Sequence, residues 1–181
     1  GGSDVDDITS GDEADTLLGD NGAAFFAAGI VIRVESTATN KGARDTIRAG
    51  AGKNIVFGGY GGDVITAGTG TSVILGDNGL ALYTSDGVRQ IVQTMAEADF
   101  GDDEITIVDG DHILLGGSGS DTLTAGDGNN VIIGDNGVTN FEGGDLVALV
   151  SAWTEFDGVD TIRAGSGFNT IMGGGAGDDI A

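Results

Sequence analysis

The sequence predicts an all-β protein: a parallel β-solenoid of tandem repeats with inserted β-hairpins. Three observations predict it. An apolar residue recurs every nine positions, a glycine-rich loop follows each one, and a longer repeat of 57 to 58 residues is laid over that beat.

The nine-residue beat comes first. From Gly42 the chain reads GARDTIRAG, AGKNIVFGG, YGGDVITAG and TGTSVILGD, which places Ile47, Val56, Ile65 and Ile74 nine apart. Later copies place Ile105, Leu114, Leu123 and Ile132, then Ile162, Ile171 and Ile180, and a partial first copy places Ile8 and Leu17. Each reads as a short strand followed by a tight turn. A helix cannot carry this pattern: 36 of 181 residues are glycine, and each costs about 1 kcal/mol relative to alanine inside a helix. A coil can, if 18 residues make one turn of two strands and the turns stack. The inward residues then form ladders, each side chain contributing about 1.5–3 kcal/mol when buried. Glycine suits the loops because stacked turns lie about 4.8 Å apart.

The long repeat follows from two landmarks. Gly-Asp-Asn-Gly starts at Gly19, Gly76 and Gly134, and paired glycines start at Gly1, Gly58, Gly116 and Gly173. The chain therefore divides into units 1–57, 58–115 and 116–172, with 173–181 opening a fourth, in one continuous array.

Loops alternate between two edges. One carries Asp45, Asp63, Asp103, Asp121, Asp160 and Asp178; the other carries Asn54, Ser72, His112, Asn130 and Asn169. This predicts an acidic edge and a mostly neutral one, the latter held by a side-chain hydrogen-bond ladder. The two sheets differ too. Strands after the acidic edge have polar outward flanks, such as Thr46 and Arg48 or Thr122 and Thr124. Strands after the neutral edge are apolar on both faces, as at Ile55 and Phe57 or Val73 and Leu75. That second sheet needs a cover.

After each Gly-Asp-Asn-Gly an excursion of about 20 residues reads as two strands around Ala28-Gly29, Asp86-Gly87 or Gly143-Gly144, a hairpin signal. Phe25, Ile30, Tyr83, Ile91, Phe141, Leu149 and Trp153 are the apolar residues expected to cover the second sheet. Packing against a neighbouring chain is the alternative, and the residues leave both open.

Composition excludes several classes. Seven basic residues face 29 acidic ones, a net charge of −22, so nucleic acid is not expected as a partner. The 39% hydrophobic content is too high for a disordered acidic tail. There is no cysteine, hence no disulfide framework and no thiolate metal site. The longest apolar stretch, residues 23–32, is too short for membrane insertion, and no targeting segment is read at the N-terminus. Catalysis has no support. The single histidine, His112, occupies a ladder position, and no serine has a base at a matching position. The recurring Gly-x-Gly elements are followed by no βαβ unit, so they are not a dinucleotide fingerprint. An ice-binding face would need aligned Thr-x-Thr rows and only Thr122-Leu123-Thr124 qualifies, and ten aromatics, mostly in the hairpins, do not make a carbohydrate-binding row.

The acids divide as 23 Asp to 6 Glu. That bias fits short carboxylates in tight loops, as turn caps or as ligands of hard cations. Carboxylates about 5 Å apart on stacked turns repel by roughly 3 kcal/mol per pair at an effective dielectric of 20, and few lysines or arginines are available to offset this. At neutral pH a bound cation is the expected relief, and all-oxygen coordination by aspartates and glycine carbonyls points to several Ca²⁺ ions. The candidate ligands are Asp6, Asp45, Asp63, Asp103, Asp121, Asp160 and Asp178. Asp20, Asp77 and Asp135 of the Gly-Asp-Asn-Gly motifs are weaker candidates, being displaced within the loop.

The segments GGYGGDVIT (58–66) and GGSGSDTLT (116–124) resemble the haemolysin-type RTX repeat, Gly-Gly-x-Gly-x-Asp-x-apolar-x. GGGAGDDIA (173–181) is similar, with Ala176 at the fourth position. The resemblance implies a parallel β-roll with Ca²⁺ between successive loops, type I export from a bacterium, and folding on meeting external calcium. Asp4 replaces the fourth-position glycine of the first copy. The neutral edge has Asn, Ser or His where the family usually has Asp, so calcium is expected mainly on one edge. The expected function is structural and not enzymatic: a secreted segment of an adhesin, surface layer or extracellular filament, self-associating end to end or laterally. The alternative is a calcium-binding export and folding module attached to a type I-secreted hydrolase or toxin.

Overall fold

The computed structural model describes residues 1–95, 101–153 and 156–181. These form three β-sheets, with no α-helix among the described residues.

The first sheet is parallel and runs β1 (Asp7–Thr9), β5 (Thr46–Ala49), β7 (Val64–Ala67), β11 (Glu104–Ile107), β13 (Thr122–Ala125), β17 (Thr161–Ala164) and β19 (Asp179–Ile180) in spatial order. The second, also parallel, runs β2 (Thr16–Leu18), β6 (Ile55–Gly59), β8 (Val73–Asp77), β12 (Ile113–Leu115), β14 (Val131–Ile133) and β18 (Thr170–Met172). The nine-residue beat sets the register of both. Ile8, Ile47, Ile65, Ile105, Leu123, Ile162 and Ile180 pair in sequence across the first sheet. Leu17, Val56, Ile74, Leu114, Ile132 and Ile171 do so across the second.

These two rows face each other and form the solenoid core. Ile47, Ile65, Ile105, Leu123 and Ile162 pack with Val56, Ile74, Leu114 and Ile132, all fully buried. Small Ala49, Ala67 and Ala125 complete the cluster. The outward flanks of the first sheet are polar: Arg48, Thr66 and Thr106 are exposed.

The third sheet answers the open question about the hairpins. β3 (Gly22–Ala27) and β4 (Ile30–Ser36), β9 (Gly79–Tyr83) and β10 (Arg89–Thr94), and β15 (Gly137–Glu142) and β16 (Asp145–Ser151) are three antiparallel hairpins. They join through β4 with β9 and β10 with β15 into one six-stranded sheet. That sheet covers the doubly apolar face within the chain. Val34, Ala81, Val92 and Phe141 pack with Ile55, Phe57, Val73, Leu75, Ile113, Leu115 and Ile133 in a second core. Where one hairpin meets the next, a hydroxyl takes an amide: Gly79 N–H donates to Ser36 Oγ at 3.1 Å and Gly137 N–H to Thr94 Oγ1 at 3.1 Å.

Two hairpins turn on Ala28-Gly29 and Gly143-Gly144, with positive φ at both residues, the two-residue turn that matches strand twist. The middle hairpin differs. Its loop spans 84–88, where the Thr84 hydroxyl accepts the N–H of Asp86 and Val88.

The expected cover is corrected in part. Tyr83, Phe141 and Leu149 join the second core, but Phe25 and Ile30 are 44% and 39% exposed. Phe25 lies under the Arg33 guanidinium at 5.5 Å, while its neighbour Ala24 packs inward. Ile91 and Trp153 are half-buried outside that core.

Candidate metal centre

The acidic edge is a column of seven aspartates, one per turn. The backbone N–H of each of the first six donates to the carboxylate of the next turn. Asp6 reaches Asp45 Oδ1 at 2.7 Å, Asp45 reaches Asp63 at 2.7 Å and Asp63 reaches Asp103 at 2.7 Å. Asp103 then reaches Asp121 at 2.8 Å, Asp121 reaches Asp160 at 2.8 Å and Asp160 reaches Asp178 at 3.0 Å. Asp45, Asp63, Asp103, Asp121 and Asp160 are buried, and Asp6 and Asp178 half-buried. The spacing that sets the strand register therefore also aligns the carboxylates.

Oδ1 is thus committed to the backbone. The Oδ2 atoms of Asp45, Asp103, Asp121 and Asp160 are buried with no hydrogen-bond partner. Each points to where a glycine lacks a side chain. A Cβ on Gly19 would collide with Asp45 Oδ2 and the Gly58 carbonyl oxygen. One on Gly76 would meet Asp103 Oδ2 and the Gly116 oxygen, and one on Gly116 would meet Asp121 Oδ2 and the Gly134 oxygen. The same arrangement repeats at Gly58 with Asp63 and at Gly134 with Asp160. Glycine is required at Gly58 for this close approach, and at its neighbour Gly59 for a φ of 121°.

Asp20, Asp77 and Asp135 join this edge as a second, offset row. All three are buried. Their Oδ2 atoms accept the N–H of Tyr60 at 2.6 Å, Ser118 at 2.5 Å and Gly175 at 2.7 Å. Each donor stands three residues before the column aspartate of its turn. The displacement within the loop, read from sequence as a weakness, therefore places these carboxylates against the column.

The electrostatics are those of anions crowded in a dry loop. Burial, with the charges of Asp77, Asp121 and Asp63 behind it, holds the Asp103 carboxyl well above the ordinary range. Burial and then Asp160, Asp135 and Asp102 do the same to Asp121. Burial lifts Asp160 to about 7, and Asp20 and Asp135 to about 6 each, with neighbouring carboxylates adding to the shift. Asp45 is raised by burial and by Asp6.

Among the described residues no three His, Cys, Asp or Glu side chains converge on one point. The convergence is of another kind, a carboxylate Oδ2 with a backbone carbonyl, repeated turn after turn. Two oxygens facing each other without a donor repel. A hard cation removes the repulsion, and Ca²⁺ takes six to eight oxygen ligands from carboxylates and carbonyls alike. The residues therefore fit calcium, which would neutralise the column and tie adjacent turns together.

The opposite edge repeats the geometry with neutral groups. Asp15 N–H donates to Asn54 Oδ1 at 3.1 Å, His112 N–H to Asn130 Oδ1 at 3.2 Å and Asn130 N–H to Asn169 Oδ1 at 3.1 Å. The Nδ2 atoms of Asn54, Asn130 and Asn169 cap the carbonyls of Gly50, Gly126 and Gly165. His112 is fully buried, its pKa lowered by that burial, and its Nδ1 accepts the N–H of Ser72 at 3.1 Å. It serves as a neutral rung.

This edge is less neutral than its ladder positions indicate. Asp12 Oδ1 accepts the N–H of Ala51, Asp109 that of Asp127, and Asp127 that of Ser166, at 3.0, 2.9 and 2.6 Å. Asp111 caps Asn129 at 2.7 Å. Asp12, Asp109 and Asp127 each stand three residues before a ladder residue, a regularity the sequence displays but that a reading of ladder positions alone passes over.

Fold and site together define a parallel β-roll with an acidic edge whose oxygens suit calcium. The model of the RTX calcium-binding nonapeptide repeat matches residues 41–74, 57–79, 108–138 and 156–181. The chain belongs to this family, a structural repeat that binds multiple Ca²⁺ ions, and whose proteins are typically secreted and extracellular. Most of the hairpins β9–β10 and β15–β16 falls outside the matched segments. No curated protein and no solved structure matches the chain. No helix among the described residues is long and apolar enough to cross a membrane.

Proposed function

We propose that the chain is a calcium-stabilised β-solenoid segment of a secreted bacterial adhesin, surface-layer or extracellular filament protein, built from units 1–57, 58–115, 116–172 and the start of the next at 173–181. One observation carries this reading: each hairpin pairs with the hairpin of the next unit, so consecutive units are joined through three sheets at once. Such an architecture resists extension along the axis. Calcium is held between turns by Oδ2 of Asp6, Asp45, Asp63, Asp103, Asp121, Asp160 and Asp178 with glycine carbonyls, and Asp20, Asp77 and Asp135 contribute from the offset row. Copies associate end to end, or laterally through the outer hairpin face, where Phe25 and Val150 are 44% and 48% exposed.

Electron microscopy of the purified chain with millimolar calcium tests this directly. Filaments or ordered lateral arrays support the reading. Monodisperse single particles that fold on calcium addition would overturn it in favour of a folding and export module of a larger secreted protein.

A further inference from the structure

Under the hairpin tips, where they overhang the neutral edge, lies a cleft of about 770 Å³, within the range that holds small ligands. Ile55 and Val73 of the second sheet line one side; Phe26, Val31 and Val88 line the other. Its charge is opposite to that of the protein. Two of the seven basic residues, Lys53 and Arg89, line it against one carboxylate, Asp15, in a chain of net charge −22.

Arg89 is the unusual member. Its guanidinium lies 5.0 Å from the centre of the Phe141 ring and donates a hydrogen bond to the Tyr83 hydroxyl. The other hairpins manage without arginine here. Arg89 pairs with Tyr83 in the middle hairpin, and the corresponding pairs are Val31 with Phe26 and Leu146 with Phe141. An apolar residue fills the position in both other hairpins. Among the described residues no carboxylate pairs with Arg89; a cation at a place an aliphatic residue could serve, on the wall of an apolar cleft, indicates a ligand anion as its charge partner.

We propose that this cleft binds a small anionic amphiphile, its carboxylate on Arg89 with Lys53 as the second cation, and its apolar body along Ile55, Val73 and Phe26.

A fluorescence titration of the calcium-loaded protein with dansyl-labelled undecanoic acid tests this. Saturable binding at one probe per chain is expected, weakened about tenfold or more in the methyl ester of the probe or in Arg89→Leu. Arg89→Leu has the precedent of Leu146 for folding, verified by circular dichroism, and Lys53→Gln should weaken binding to a smaller extent. If Arg89→Leu does not fold, the acid-to-ester ratio on the native protein decides. No saturable binding, equal affinity for acid and ester, or undiminished binding by folded Arg89→Leu would overturn the proposal.

Discussion

The N–H of Asp103 donates to Oδ1 of Asp121 at 2.8 Å, while Oδ2 of Asp121 is buried beside the Gly134 carbonyl with no hydrogen-bond partner. The two oxygens of one carboxylate thus have different duties. One sets the spacing of the turns, and the other has no donor, which suits the proposed cation. Because that division repeats in every turn, structural and metal-binding roles can be separated by mutation.

Chelation comes first. With calcium removed, the buried Oδ2 atoms face carbonyls across an unrelieved column of charge, and several repulsions of about 3 kcal/mol rival the ~5–15 kcal/mol stability of a domain. The β-sheet circular dichroism signal at pH 7.5 should be lost in EDTA and return on calcium addition. A signal that persists in EDTA would refute calcium dependence.

Asp63→Asn with Asp121→Asn preserves Oδ1 as an acceptor for the N–H of Asp45 and Asp103 but removes two charges. The calcium midpoint of folding should rise at least about tenfold, since a lost charged ligand is worth more than about 1.4 kcal/mol. An unchanged midpoint would mean that these aspartates are only caps.

Gly58→Ala places a methyl group against Asp63 Oδ2 and the Gly76 carbonyl, whereas the same change at Gly11 meets nothing within 4 Å. Thermal unfolding in calcium should show a loss of about 1–3 kcal/mol for Gly58→Ala and less than about 0.5 kcal/mol for Gly11→Ala. Equal effects would deny any special space at Gly58.

Acid should partly replace calcium. Folded Asp160 titrates at about 7, and Asp20 and Asp135 at about 6, against an ordinary 3.8. Between pH 4 and 7 the metal-free folded state therefore binds more protons than the unfolded chain, so its stability falls as pH rises through that window. In EDTA, the β-sheet circular dichroism signal lost at pH 7.5 should be partly recovered at pH 5, and calcium should remove most of the difference. A metal-free signal that grows from pH 5 to pH 8 would contradict this.

Leu114 is fully buried in the solenoid core. Leu114→Ala should cost about 2–5 kcal/mol in urea denaturation with saturating calcium, leaving the number of bound ions unchanged by isothermal titration calorimetry.

Much of this was legible beforehand. Ile47, Ile65 and Ile105 pair as the nine-residue beat requires, because a solenoid repeats its environment and each position advertises itself many times. The column aspartates were legible for the same reason. The hairpins were harder. Which face of a two-stranded insertion turns inward depends on register, and in the first hairpin small Ala24 packs inward while Phe25 and Phe26 are exposed. Asp20, Asp77 and Asp135 look displaced in the chain, yet the departure of each hairpin brings them back beside the column. Arg89 carries no signal at all: only the three hairpins side by side reveal it as the exception to an aliphatic position.

The hairpins also account for the length of the repeat. Each contributes two strands to the outer sheet, while the solenoid beneath advances by two coils, and strands in either sheet are about 4.8 Å apart. The two layers are therefore commensurate. A hairpin on every coil would outrun its support and buckle, and one on every third would leave gaps over Phe57 and Leu115. With this match no mismatch accumulates along the axis, so copy number can change over evolutionary time by whole units without redesigning any junction.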